Sequence, residues 1–236
     1  MCGRYTLAPG GLTLFPERFG VAAPAPTLAG YNIPPGLSVA TILRRDGAPP
    51  SCESLHWGLI PAWSQTAEKQ YKMINARAET IQQKRAYSGL LAQNRCLIPA
   101  DGFFEWQPQP DAPKQPWWFH MAGAELFAFA GLWTTWQPRP DVEAVDSCTI
   151  LTTAANDVVS PVHSRMPLIL RPEVEAAWLD PALGAEDALL LLSASANVQL
   201  QKQPVSRAVN STRNQGSDSI AAVDPGGADP STGALF

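Results

Sequence analysis

Short apolar runs separated by turn formers dominate the middle of this chain. Residues 95–99, 102–107, 115–121, 126–133 and 147–154 are rich in aromatic, β-branched or other apolar side chains. Turn-rich pieces such as 108–113 part them, the spacing of a β-meander. Residues 38–43, 52–60, 167–170 and 198–205 predict further strands. Helical patterns are shorter. They cover residues 11–20, stopped by Gly20 and weakened by Pro16; 78–93, with a break near Gly89; 173–179; and 186–193. Residues 21–36 are rich in Pro, Ala and Gly and read as a loop.

Strands and helices do not alternate, which excludes a doubly wound parallel sheet. The pattern predicts an α+β fold: one domain around a curved, mostly antiparallel sheet or barrel-like core with short flanking helices. From Asn214 the composition turns to Gly, Ser, Asp, Pro and Ala, and periodicity ends after Ile220. The expected boundaries are a domain over residues 1–215 and a disordered tail over 216–236.

Composition adjusts this picture in three places. Twenty-three prolines and 17 glycines in 236 residues favour short elements joined by many loops. No apolar run reaches the ~18 residues of a membrane span, and no signal segment precedes the first strand. The four cysteines, Cys2, Cys52, Cys96 and Cys148, form no CxxC pair and no metal-like spacing with His56, His120 and His163. A zinc site is therefore not expected, and reduced thiols point to the cytoplasm. A net charge of −4 gives no global support for nucleic-acid binding, which depends instead on local clusters.

Four separated segments carry chemistry. Cys2-Gly3-Arg4 opens the chain after Met1. If Met1 is removed, Cys2 presents a thiol and a free α-amine on one residue. Such a 1,2-aminothiol captures aldehydes: the amine forms an imine with loss of water, and the sulfur closes on it to a five-membered thiazolidine. Reference pKa values of about 7.7–8.0 for the amine and about 8.5 for the thiol leave each a reactive fraction near neutral pH. The second segment, Asn75-Ala76-Arg77-Ala78-Glu79-Thr80, sits just ahead of or within the predicted helix at 78–93. In the third, Gly102-Phe103-Phe104-Glu105-Trp106, a single carboxyl stands in an aromatic strand. The fourth, Pro161-Val162-His163-Ser164-Arg165-Met166-Pro167, places a histidine between prolines. Taken singly, each has an ordinary reading. Asn75 can cap a helix, Glu105 can face solvent, His163 can be a loop histidine, and the arginines can be surface cations.

Together and in this order, Cys2-Gly3-Arg4-Tyr5, Asn75–Thr80, Gly102–Trp106 and His163-Ser164-Arg165-Met166-Pro167 resemble the motif set of the SOS-response-associated peptidase (SRAP) domain family. Tyr31-Asn32-Ile33-Pro34-Pro35, Trp57-Gly58-Leu59-Ile60-Pro61, Ile150–Asn156 and Pro204-Val205-Ser206 support the match, which spans residues 2–215. The resemblance implies covalent capture of abasic sites in single-stranded DNA by a cofactor-free monomer, nucleoid-associated when bound. Cys2 would bond the deoxyribose C1′, with Asn75, Glu105 and His163 completing the site. Glu105 would move a proton between O1′ and the ring oxygen to open the sugar. His163, a type titrating near pH ~6.5, would hold or protonate the released O4′ hydroxyl, and Asn75 would orient the amine. Arg4, Arg77, Arg85 and Arg165 would meet phosphates. Pro35, Trp63 and Trp106 would stack on or wedge between bases, and Thr152 would add a hydroxyl contact. The family name also implies a self-processing reaction, and imine chemistry at C1′ a lyase activity.

Two other readings fit the residues alone. An N-terminal-nucleophile amidohydrolase or peptidase would use the same Cys2, Asn75 and His163 but turn over. A non-catalytic single-strand-binding module would use the Arg and Trp residues and tolerate loss of Cys2.

Overall fold

A computed structural model of the chain describes residues 2–66, 73–194 and 198–224. Thirteen strands are found among them: β1 (Tyr5–Leu7), β2 (Gly30–Ile33), β3 (Ser38–Leu43), β4 (Ser51–Trp57), β5 (Asn75–Arg77), β6 (Arg95–Ala100), β7 (Gly102–Gln109), β8 (Ala112–His120), β9 (Phe127–Trp136), β10 (Val145–Ala154), β11 (Arg165–Pro167), β12 (Ile169–Leu170) and β13 (Gln201–Pro204). Helices are short: α1 (Phe15–Phe19), α2 (Pro172–Trp178) and α3 (Ala185–Ala194), with several 3-10 turns.

Strands β10, β4, β3, β6 and β9 pair in that order, and β9 pairs back onto β10 from Val145↔Trp136 to Ile150↔Gly131. The ring is therefore a closed five-stranded barrel, which has no free edge. The short strands β5 and β11 pair with β10, and β12 pairs with β9. All pairings are antiparallel except β10 with β4 and with β5. A second, open sheet runs β13-β8-β7-β1-β2.

The chain passes from barrel to open sheet at Asp101, between β6 and β7. Its carboxylate accepts the Thr6 hydroxyl and the Ala8 amide N–H, the latter at 2.6 Å. Aromatic rings join the two layers. Tyr5 packs edge-on against Trp57 (5.3 Å) and Phe129 (5.8 Å), and Phe103 against Phe129 (6.2 Å). Strand alternation gives β7 two buried faces. Phe103 belongs to the main core, while Phe104 joins Trp118, Val205 and Val209 in a smaller one.

The expected α+β fold, one domain around a barrel-like core, is the fold observed. Its local details differ in five places. Residues 78–93 are not an α-helix; a 3-10 turn at Ala78–Gln83 is followed by further single turns. Asn75–Arg77 is a strand, not a helix start. The loop expected over 21–36 contains β2, and β1 was not foreseen. Packed structure also continues past residue 215: a 3-10 turn at Ser217–Ile220 buries Ser219, and Val205 bridges to Ala222. The rest of the expected tail, residues 225–236, lies outside the described residues.

Candidate active site

Strand β5 holds Asn75 in place although its three residues have little strand character of their own. Its register on β10 is Ile150↔Asn75 through Thr152↔Arg77. The Ile74 carbonyl accepts both the Trp57 indole N–H (2.9 Å) and the Ile150 amide (3.0 Å). From there the Asn75 side chain reaches the start of the chain, and its Nδ2 donates to the Cys2 carbonyl at 2.8 Å. Asn75 Oδ1 is buried and accepts no hydrogen bond among the described residues. The next helical turn is preceded by Arg77 without a side-chain cap, so Asn75 does not serve as a helix cap.

Cys2 is fully buried, with Sγ 3.6 Å from the Arg4 carbonyl. Burial, and then the nearby Glu105 carboxylate, push its thiol well above the ordinary range. Glu105 is only 3% exposed, which rules out a solvent-facing strand position. It shares a face of β7 with Phe103 because the two are two residues apart. Burial raises its carboxyl above the usual range, opposed in part by the charge of His163. These mutual electrostatic effects place Cys2, Glu105 and His163 in one neighbourhood. The ring of His163 is held by the backbone of Arg165: Nδ1 lies 3.0 Å from its amide nitrogen and 3.1 Å from its carbonyl oxygen.

A cleft of about 540 Å³ is lined by Gly3 and Arg4, which follow Cys2 in the chain, and by Pro34, Pro35, Leu37 and Thr212. Its volume suits a small-molecule or nucleotide-sized group. The polar residues expected to bind a strand fall into three sets. Arg77 is exposed on β5, and Arg85 stacks over the 56%-exposed Trp63 at 4.7 Å. Pro35 lines the cleft, and Trp106 is half-buried with Nε1 donating to Asn210 Oδ1 at 2.7 Å. Arg165 and Arg4 are engaged within the protein. Arg165 makes a two-pronged pair with Glu79 (2.6 and 2.9 Å) and donates to the Thr152 carbonyl at 2.7 Å. That pairing holds the Glu79 carboxyl below its usual range.

Arg4 donates to Asn32 Oδ1 (2.6 Å), the Val209 carbonyl (2.8 Å) and the Asn210 carbonyl (3.2 Å). Thr152 is a correction: it is fully buried, so its hydroxyl reaches no strand and instead accepts from Arg165 at 3.2 Å. Sequence reasoning missed the role of Asn32. Its Nδ2 serves the carbonyls of Val209, Ser211 and Asn214, all within 3.0 Å, and so ties residues 209–214 along the cleft. Its presence inside Tyr31–Pro35 was the only signal. Among the described residues no group of three His, Cys, Asp or Glu could hold a metal, and no helix is long and apolar enough to cross a membrane.

Comparison with known proteins adds three findings. The sequence profile of the family described as SOS response associated peptidase (SRAP) matches residues 1–212. YoqW of Bacillus subtilis, an abasic site processing protein, is 37% identical over 224 residues, covering 93% of this chain and 99% of the relative. YedK of Escherichia coli, an abasic site processing protein as well, is 32% identical over 82% of this chain and 84% of its own. A crystal structure of a protein from Bacteroides thetaiotaomicron superposes with a TM-score of 0.79 at 22% identity, over 94% of this chain and 100% of that one, a likeness of fold.

Proposed function

Since the chain belongs to the SOS response associated peptidase family, we propose that it processes abasic sites in DNA by bonding covalently to the exposed sugar aldehyde of a single strand. The observation that carries this reading is the placement of Cys2. Its backbone is pinned by Asn75, its thiol is buried, and a carboxyl of raised pKa stands beside it.

In this reading Met1 is removed and the Cys2 α-amine becomes the first nucleophile. Glu105, protonated more readily than an ordinary carboxylic acid, passes a proton to the ring oxygen and takes one from the O1′ hydroxyl, which opens the sugar. The amine condenses with the C1′ aldehyde and releases water. Glu105 gives its proton to the hydroxyl that departs as this water, leaving a protonated imine, and, now ionised, accepts the Sγ proton as sulfur adds to the imine carbon, giving the thiazolidine. Burial makes Glu105 a better proton acceptor but also makes the Cys2 thiol a weaker acid, so the transfer is drawn forward by sulfur adding to the imine carbon as its proton leaves. Asn75 holds the Cys2 carbonyl and offers a buried, unfilled acceptor, Oδ1, for the amine. His163 holds the released hydroxyl, and Arg77, an exposed cation on β5 in register with Thr152, meets a backbone phosphate. Lyase cleavage 3′ to the imine is a secondary activity of the same chemistry, while a self-processing step that frees Cys2 is a separate one, hydrolysis of the Met1–Cys2 peptide bond by water.

The test is denaturing gel electrophoresis of the protein with a single strand carrying one abasic site, beside an intact strand. A heat-stable shifted band is expected, dependent on the lesion and lost in Cys2→Ala. If no band forms while mass spectrometry shows Met1 gone, the trapping reading fails. Multiple turnover of an amide substrate in that case would identify an amidohydrolase.

A further inference from the structure

At the end of the barrel where β3 finishes and β6 begins lies a second cleft, of about 280 Å³. Arg44, Arg45, Asp46, Asn94, Arg95 and Trp133 are among the residues lining it. It is separate from the Cys2 site. Asp146, which contacts Arg45 at 2.9 Å, and Ile150, the register partner of Asn75, are four residues apart on β10. At ~3.3 Å per residue that is a span of about 13 Å.

Two of the three guanidiniums are already engaged. Arg45 pairs with Glu53 (2.7 Å) and Asp146 and lies over the Trp133 ring at 4.5 Å. Arg95 gives its donors to the carbonyls of Trp178, Leu91, Ala92 and Asp180 at 2.5–2.6 Å. Arg44 has no ion-pair partner among the described residues, and its Nε is buried without a hydrogen-bond acceptor. The indole Nε1 of Trp133, a residue 7% exposed, is in the same condition.

Buried polar atoms in folded proteins are nearly always paired. Two orphans on side chains that line one cleft therefore point to a missing group. Arginine and the tryptophan indole can only donate, so what is missing must accept, which excludes a cation. Asp46 also lines the cleft but is exposed, and the charge of Arg45 is more than offset by two carboxylates, Glu53 and Asp146. The case therefore rests on unfilled donors, not on a basic surface. We propose that this cleft is a phosphate-binding site in which Arg44 Nε–H and Trp133 Nε1–H donate to the oxygens of one phosphate group. The phosphate comes either from a small phosphorylated molecule or from a DNA strand.

The probe is inorganic phosphate, titrated into ¹⁵N-labelled full-length protein at ionic strength held constant with chloride. The Trp133 indole resonance is identified by its loss in Trp133→Phe. A saturable shift of that resonance is expected, with its midpoint moved up about tenfold or more in Arg44→Gln, since a charge-assisted donor is lost. Matching melting temperatures for the variant and the parent exclude a folding defect, and Arg44→Lys, which keeps the charge, should recover part of the affinity. No saturable shift, or the same midpoint in Arg44→Gln, overturns the proposal and leaves water as the acceptor. An equal shift with acetate overturns the phosphate assignment. An intact oligonucleotide then decides the source. If it moves the resonance at concentrations well below those of free phosphate, the strand supplies the group. If it does not, while phosphate does, the ligand is a small phosphorylated molecule.

Discussion

Glu105 shows how one side chain can be kept reactive at a cost to the fold. Burial raises its pKa in the folded chain above that of the unfolded chain. The protonated carboxyl is therefore the form that folding favours. Its contribution is complete below the ordinary value of about 4.3 and is lost as pH rises through the raised value. Glu105→Gln should accordingly melt higher than the parent at pH ~7, by about 2–4 °C for each ~1 kcal/mol of relief in a chain of this size. The gap should close toward pH ~4, while adduct formation slows at every pH. Differential scanning fluorimetry across pH checks the first part, and a variant that melts lower at neutral pH would contradict it. Glu79 has the opposite sign. Arg165 holds its carboxyl below the usual range, so the pair is intact above the ordinary carboxylate pKa and is lost as pH falls through the lowered one. Because Glu79 is about half exposed, the pair adds little stability, but it does occupy a cation close to His163. Glu79→Gln should free Arg165 and strengthen single-strand binding, steepening its salt dependence by about 0.7 in log–log slope. An unchanged slope in fluorescence-anisotropy titrations would show that Arg165 never reaches phosphate.

Among the elements, β7 bears most on the site, because its alternation sends Phe103 and Glu105 to one core and Phe104 to another. Its start tolerates no side chain. A Cβ on Gly102 would lie 2.1 Å from the Trp118 indole nitrogen and 2.9 Å from the Phe119 carbonyl. Gly102→Ala should cost about 1–3 kcal/mol through overpacking and displace Glu105, so that both melting temperature and adduct yield fall. A variant that melts like the parent would mean β8 yields without strain. Strands such as β3, β6, β9 and β10 were legible in the sequence because their apolar runs are buried in a barrel wall. β5 was not: Asn-Ala-Arg carries no strand preference, and only its parallel register on β10 makes it one. Residues 78–93 misled for the converse reason. Their Glu, Gln, Lys and Ala content favours helix, but Ile81, Tyr87 and Leu91 must all be buried, and the chain bends in separate turns to bury them. Of the site, the order of the motifs named Cys2, Asn75, Glu105 and His163. The engagements of Arg4 and Arg165 could not be read, since their partners, Val209, Asn210 and Glu79, are ordinary residues made relevant only by folding.

For the whole molecule, a net charge of −4 sets a limit on what non-covalent contact can do. Association with an intact strand should be weak and fade between ~50 and ~200 mM salt, as phosphate contacts do. The abasic adduct, once formed, should persist at any salt in a denaturing gel. Tight salt-resistant binding to intact DNA would mean that recognition does not depend on the lesion. The burial of Cys2 has a further consequence, which concerns time. The first strand completes its sheet by pairing with Phe103, so the covering over Cys2 cannot close until about a hundred residues have left the ribosome. At ~5–20 residues per second that interval is on the order of 5–20 s. An aminopeptidase that removes Met1 within those seconds acts while Cys2 is still uncovered, before its thiol is packed into the core.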